Sequence, residues 1–153
     1  MPPVLAYFLT WTTYGTWLPG DPRGWVKYGE GGAGVPYRQG EPLRHRAAAR
    51  LMVKGAVRFG DPERQVVSGN IAATCRAKGW TLLALSVRSN HVHIVLAAPN
   101  ETPERVMTCL KAWASRALND GGARQHWWTR HGSTRYISTP ASLKRAIEYV
   151  NDQ

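Results

Sequence analysis

Acidic residues are scarce in this chain, and cysteine is scarcer still. Ten Asp and Glu stand against twenty Lys and Arg, leaving a formal net charge of +10 over 153 residues. So few acids leave nothing to balance the cations, which favours a polyanionic partner: nucleic acid first, an anionic membrane surface second. A solvated basic face is the plainer reading of the same surplus. The two cysteines, Cys75 and Cys109, are too few for a disulfide framework and fit buried thiols in a reducing compartment. No apolar run approaches the roughly 20 residues of a membrane-spanning helix. The opening MPPVLAYFLTWTTYG has no positive stretch ahead of its short apolar run, so no secretory leader is expected. A cytoplasmic location follows as the expectation. Internal repeats and low-complexity tracts are missing too.

What remains is globular in composition, 43% hydrophobic, and of a length suited to one domain spanning residues 1–153. Seven Trp and six Tyr among so many cations suit unstacked bases. VLAYFLTWTT (4–13) reads as a β-strand, rich in β-branched and aromatic residues. A Gly- and Pro-dense insertion, 14–42, follows; excursions this long in a compact domain tend to be functional or partly disordered. It carries Trp17, Trp25, Lys27, Tyr28, Tyr37 and Arg38, fit for nucleic-acid contact or for a flap. The basic stretch 43–58 is predicted helical, with Arg44, Arg46, Arg50, Lys54 and Arg58 along it.

Asp61-Pro62-Glu63 opens a helix with an N-cap acid and a proline in the first turn, and Gly79 stops it. WTLLALSVR (80–88) and HVHIVLAA (91–98) are two strands joined at Ser89-Asn90. Thr102-Pro103-Glu104 opens the next helix, which ends at Gly121-Gly122. RYIS (135–138) is a short strand, and Thr139-Pro140 caps a last helix through Gln153. The order predicts an α+β fold: a ferredoxin-like antiparallel sheet with helices on one face, plus the insertion after the first strand. Many functions share that fold, so chemistry must come from particular residues.

In RSNHVHIVL (88–96), His91 and His93 are two residues apart on a strand, so they share a face about 6.6 Å apart. Val92 and Ile94 take the other face. Two imidazoles so placed can converge on one divalent metal at about 2.1 Å each; a merely polar sheet face is the alternative. Hydrolases with a His-x-His-x-Asp-His pattern need an acid where Val95 stands, and two-histidine phosphoesterases need separated His-x-Thr/Ser motifs that the chain does not have. In the last helix Leu143, Ile147 and Val150 form an apolar stripe. Tyr149 and Gln153 lie i, i+4 along one flank, about 40° apart. That tyrosine suits the margin of a core; the glutamine's amide oxygen could also be a third metal ligand.

SNHVHIVL, the long helix beside it and the Tyr-x-x-x-Gln of the last helix resemble the HUH single-tyrosine transposases, most nearly the REP-associated tyrosine transposases of bacteria. FLTWTTYGTWLPGD (8–21) and WWTRHGSTR (127–135) are similar to that group as well, so the resemblance runs over nearly the whole chain. It implies His91, His93 and Gln153 as ligands of Mg²⁺ or Mn²⁺ and Tyr149 as the nucleophile. The activity it implies is cleavage and rejoining of single-stranded or hairpin DNA through a 5′-phosphotyrosine, in a cytoplasmic, nucleoid-associated protein, with a homodimer conceivable. DNA contacts are expected from Arg44, Arg46, Arg50, Lys54 and Arg58, and from Trp127, Trp128, Arg130 and Arg135; core filling is at least as good a reading of each tryptophan singly. Two other readings stand beside this one: a domesticated, non-cleaving DNA-binding protein of the same fold, and a ferredoxin-like RNA-binding module using its sheet face.

Overall fold

A computed structural model describes residues 3–16, 18, 21–24, 36–52, 55–122 and 124–153. The elements in chain order are β1 (Ala6–Thr12), α1 (Pro42–Arg50), α2 (Asp61–Lys78), β2 (Thr81–Val87), β3 (His91–Ala97), α3 (Pro103–Asp120), β4 (Ser133–Ile137) and α4 (Pro140–Asn151). The strands form one antiparallel sheet in the order β2-β3-β1-β4. β1 and β2 thus run parallel with β3 between them, joined by a crossover that contains α2; this is the ferredoxin-like topology expected from the element order.

Strand alternation divides the sheet into two unlike faces. Tyr7, Leu9 and Trp11 of β1 join Val92, Ile94 and Leu96 of β3 against α2 and α3, whose Val67, Ile71, Cys75, Val106, Leu110 and Ala114 complete the larger core. Burying each aliphatic side chain there stabilises the fold by about 1.5–3 kcal/mol. The opposite face has a smaller core: Ala6, Ala84, Val95 and Ile137 with Val150 of α4, flanked by Phe8, Leu143 and Ile147. The two long helices share one face, as the sequence predicts, and α4 is added on the other, where it packs on β2 and β3.

Local chemistry explains the boundaries. Thr102 and Thr139 cap α3 and α4, their hydroxyls accepting from Arg105 N and Ser142 N. α2 ends at Gly79, in the left-handed region at φ 73°. Its N-cap is Gly60 rather than the predicted acid; Asp61 occupies the first turn, where it pairs with Arg64 and faces the positive helix end.

The basic helix is shorter than predicted. α1 buries no residue and stops at Arg50, and 55–60 has no regular secondary structure where the sequence predicts a helix continuing to Arg58. That segment finds backbone partners elsewhere: Val57 N donates to Tyr14 O at 2.8 Å and Phe59 N to Ser89 O at 2.6 Å. Those bonds, with Phe59 in the larger core, outweigh what an exposed helix end could gain. Lys54 and, from the insertion, Trp17, Trp25, Lys27 and Tyr28 lie outside the described residues.

Candidate active site

The smaller core closes only part of its sheet face. Beyond Val95 and Phe8, toward the start of β3, the same face continues as Thr10 and Thr12 on β1, opposite His93 and His91. Ser86 of β2 and Ser133 of β4 extend the His93–Thr10 row to both edges. One strip of polar side chains therefore crosses the whole sheet.

At its centre the His91 and His93 rings stand edge to face, centroids 4.7 Å apart. His93 is only 8% exposed, and burial, aided by the neighbouring His91, lowers its pKa from 6.5 to about 4. Burial and the charge of Arg88 lower His91 as well. Both rings are therefore neutral at pH 7, the state in which imidazole ligates metals. Each has its Nδ1 occupied: His93 Nδ1 lies 2.8 Å from Thr10 Oγ1, and His91 Nδ1 lies 2.8 Å from Asn90 Oδ1. Among the described residues neither Nε2 has a hydrogen-bond partner. Two neutral, oriented imidazoles on one face fit a divalent cation. Among the described residues no group of three His, Cys, Asp or Glu side chains gathers at one point, so a third protein ligand would have to be of another type.

α4 brings Tyr149 to this strip. Its ring is 5.5 Å from His93 and 5.9 Å from Phe8, while Phe8 is itself 5.8 Å from His93. The three rings form a closed triangle, and Tyr149 remains 51% exposed. Val150, one residue on, is buried and pins the helix to the sheet. Gln153 follows the C-cap, exposed, with Nε2 donating to the Tyr149 carbonyl oxygen at 3.2 Å.

The predicted cations divide by location. Arg135 pairs with Phe8 across β4 and β1, on the face of His93, and is exposed. Arg58 lies next to Phe59, whose backbone is bonded to the turn before His91. Arg44, Arg46 and Arg50 are exposed along α1, Arg44 paired with Glu41 at 2.8 Å. Arg130 is exposed in the segment that enters β4.

The two tryptophans of that segment follow the core-filling alternative. Trp127 packs on Phe59 and donates to Asn119 Oδ1 at 2.9 Å; Trp128 meets Trp11 and Phe59 edge to face and donates to Lys111 O at 3.1 Å. Both half-buried indoles border the larger core. The segment is fastened to β1 by Thr129, whose N–H donates to Thr12 O, and to α3 by Lys111 Nζ, which donates to Thr129 O at 2.7 Å. Gly132 permits this approach: a Cβ there would sit 2.6 Å from Thr10 O.

Thr10, Asn90 and Phe8 went unassigned in the sequence. Asn90 reads there as a turn residue, and nothing local says which β1 residue faces His93. The available signal was the odd–even contrast of β1, with Phe8, Thr10 and Thr12 against Tyr7, Leu9 and Trp11.

An antiparallel ferredoxin-like sheet with a histidine pair on one face and a helical tyrosine against it defines the class of protein. Residues 55–153 match the family described as transposase, IS200 like. The chain belongs to this family of transposases. Among solved structures it is similar to a candidate transposase from Deinococcus radiodurans R1, at 15% identity and a TM-score of 0.53, over 98% of this chain and 91% of that one. It is also similar to a REP-associated tyrosine transposase bound to a REP hairpin, at 9% identity and a TM-score of 0.56. That alignment takes in 97% of this chain but only 65% of that one. At such identities the two structures bear on the fold. No curated protein matches the chain.

Proposed function

We propose that this transposase cuts and rejoins single-stranded DNA, of hairpin or palindromic form, through a covalent link to Tyr149. The observation that carries the reading is the Tyr149 ring set 5.5 Å from His93 of the same chain. His91 and His93, through Nε2, and Gln153, through its amide oxygen, would hold one Mg²⁺ or Mn²⁺. Such a cation, when bound, draws charge from the non-bridging oxygens of the scissile phosphate.

The chain's own residues do the rest. Tyr149 Oη attacks the phosphorus while the bond to the 3′ oxygen breaks. The phenolic proton passes to water, and the departing oxygen takes one up. The products are a 5′-phosphotyrosine and a free 3′-OH, and attack by another 3′-OH reverses the step without a nucleotide cofactor. Packing between Phe8 and His93 restricts the tyrosine ring, which lowers the entropic cost of in-line attack. Arg135 and Arg130 are suited to flanking phosphates, and Arg44, Arg46, Arg50 and Arg58 to the DNA beyond them. A hairpin substrate is supported by likeness to the hairpin-bound structure, and a DNA substrate agrees with a cytoplasmic, nucleoid-associated protein.

α4 covers part of the sheet face that an RNA-binding module would use, which disfavours that reading. Incubation of labelled hairpin DNA with the protein and Mn²⁺ tests the proposal. A denaturing gel should show a covalent adduct with the natural chain and none with Tyr149→Phe. An equal adduct in both would refute it, and none in either would favour the non-cleaving DNA-binding reading.

A further inference from the structure

We infer that Thr10 and Asn90 are positioning residues that hold the His93 and His91 rings in the Nδ1–H form, so that both Nε2 lone pairs serve one ligand site. The use of those lone pairs rests on the metal-binding reading above; the tautomers themselves belong to the metal-free chain.

The two rings reach the same state by different routes. Asn90 Oδ1 lies 2.8 Å from His91 Nδ1, and an amide oxygen only accepts, so the proton resides on Nδ1. Thr10 Oγ1 lies 2.8 Å from His93 Nδ1, and a hydroxyl both gives and takes. The surroundings decide the direction. Around its ring lie those of His91, Phe8 and Tyr149, none of them hydrogen-bonded to His93 among the described residues. Among the described residues the hydrogen-bonding partner of His93 is Thr10, at Nδ1. The proton is therefore placed on Nδ1, donated to Thr10 Oγ1.

An unconstrained histidine side chain favours the opposite form, with the proton on Nε2. The same inversion on two adjacent ligand-type histidines is what a metal site asks of its supporting groups. Thr10 reaches His93 only through the β1–β3 register, since 83 residues separate them in the chain. Asn90 is the immediate neighbour of His91, on the turn held by Phe59 N at Ser89 O and by Thr13 N at Asn90 O. Each histidine thus has a dedicated, rigidly mounted acceptor.

Long-range ¹H–¹⁵N correlation spectra of the imidazole rings in the metal-free protein, near neutral pH, test the assignment directly. Both histidines should show a protonated Nδ1 and a bare Nε2. Thr10→Val should move His93 toward the Nε2–H form, and Thr10→Ser should restore the natural spectrum. In a calorimetric titration with Mn²⁺, Thr10→Val should bind about 10–100-fold more weakly than the natural chain, as losses of such supporting bonds do elsewhere, while Thr10→Ser should bind nearly as well. An Nε2–H spectrum for His93 in the natural protein overturns the proposal whether or not Thr10→Val folds. So does a Thr10→Val protein with unchanged spectrum and Mn²⁺ affinity. The assigned tautomers in a chain that takes up no Mn²⁺ would support the positioning and overturn the metal reading instead.

Discussion

The two faces of strands β1 and β3 are built from alternate residues of the same short segments, yet they have opposite fates. Leu9, Trp11, Val92, Ile94 and Leu96 are at most 1% exposed beneath α2 and α3. One residue out of phase, Thr10, Thr12, His91 and His93 form a polar strip that α4 leaves partly open. The apolar face holds the strands still, and the polar face uses that rigidity to fix four side chains. A one-residue slip between β1 and β3 would bury the polar set under two helices, so register is under strong energetic control.

The comparison can be broken from either side. The largest effect is expected on the polar face, where Tyr149→Phe should abolish the DNA adduct while the melting temperature stays close to that of the natural protein. Next, on the apolar face, Ile94→Ala should cost about 2–5 kcal/mol in denaturant unfolding by leaving a cavity under α2 and α3, with the site's chemistry intact in whatever fraction remains folded. A drop in adduct per folded molecule would show that the faces are less separable than the packing implies.

Protonation probes the polar face more gently. The folded pKa of His93, about 4, lies below its ordinary 6.5. Its neutral ring therefore contributes stability that is present above pH 6.5 and lost as pH falls through about 4. His93→Asn should flatten the fall in melting temperature across that window; an unchanged pH profile would place the acid sensitivity elsewhere. The smallest effects belong to α1. Arg46→Ala and Arg50→Ala should each lower DNA affinity modestly and reduce the slope of log affinity against log salt by about one, measured by anisotropy. A slope that does not change would remove α1 from the interface.

Much of this organisation can be read from the chain itself. The openings Thr102-Pro103 and Thr139-Pro140, the stop at Gly79 and the β2–β3 hairpin at Ser89-Asn90 are local signals, and local chemistry decides them. The parity of His91 and His93 follows from strand alternation alone. What escaped depends on distant partners. α1 ends at Arg50 because residues 57–59 are claimed by Tyr14 and Ser89. Which of their two readings Trp127 and Trp128 follow depends on Phe59 and Trp11, distant in the chain, against which they pack. Thr10 meets His93 only once the register is set. Sequence patterning predicts which face a residue takes, and tertiary structure decides what it meets there.

The central claim is that Tyr149 works with the histidines of its own chain, on the open part of one sheet face. Mixing His93→Ala protein with Tyr149→Phe protein, in the presence of labelled hairpin DNA and Mn²⁺, tests it most directly. Each mixture component has lost a different half of the site, so the account predicts no covalent adduct from the mixture. An adduct restored on mixing would mean that the tyrosine of one chain serves the histidines of another, and would contradict the account.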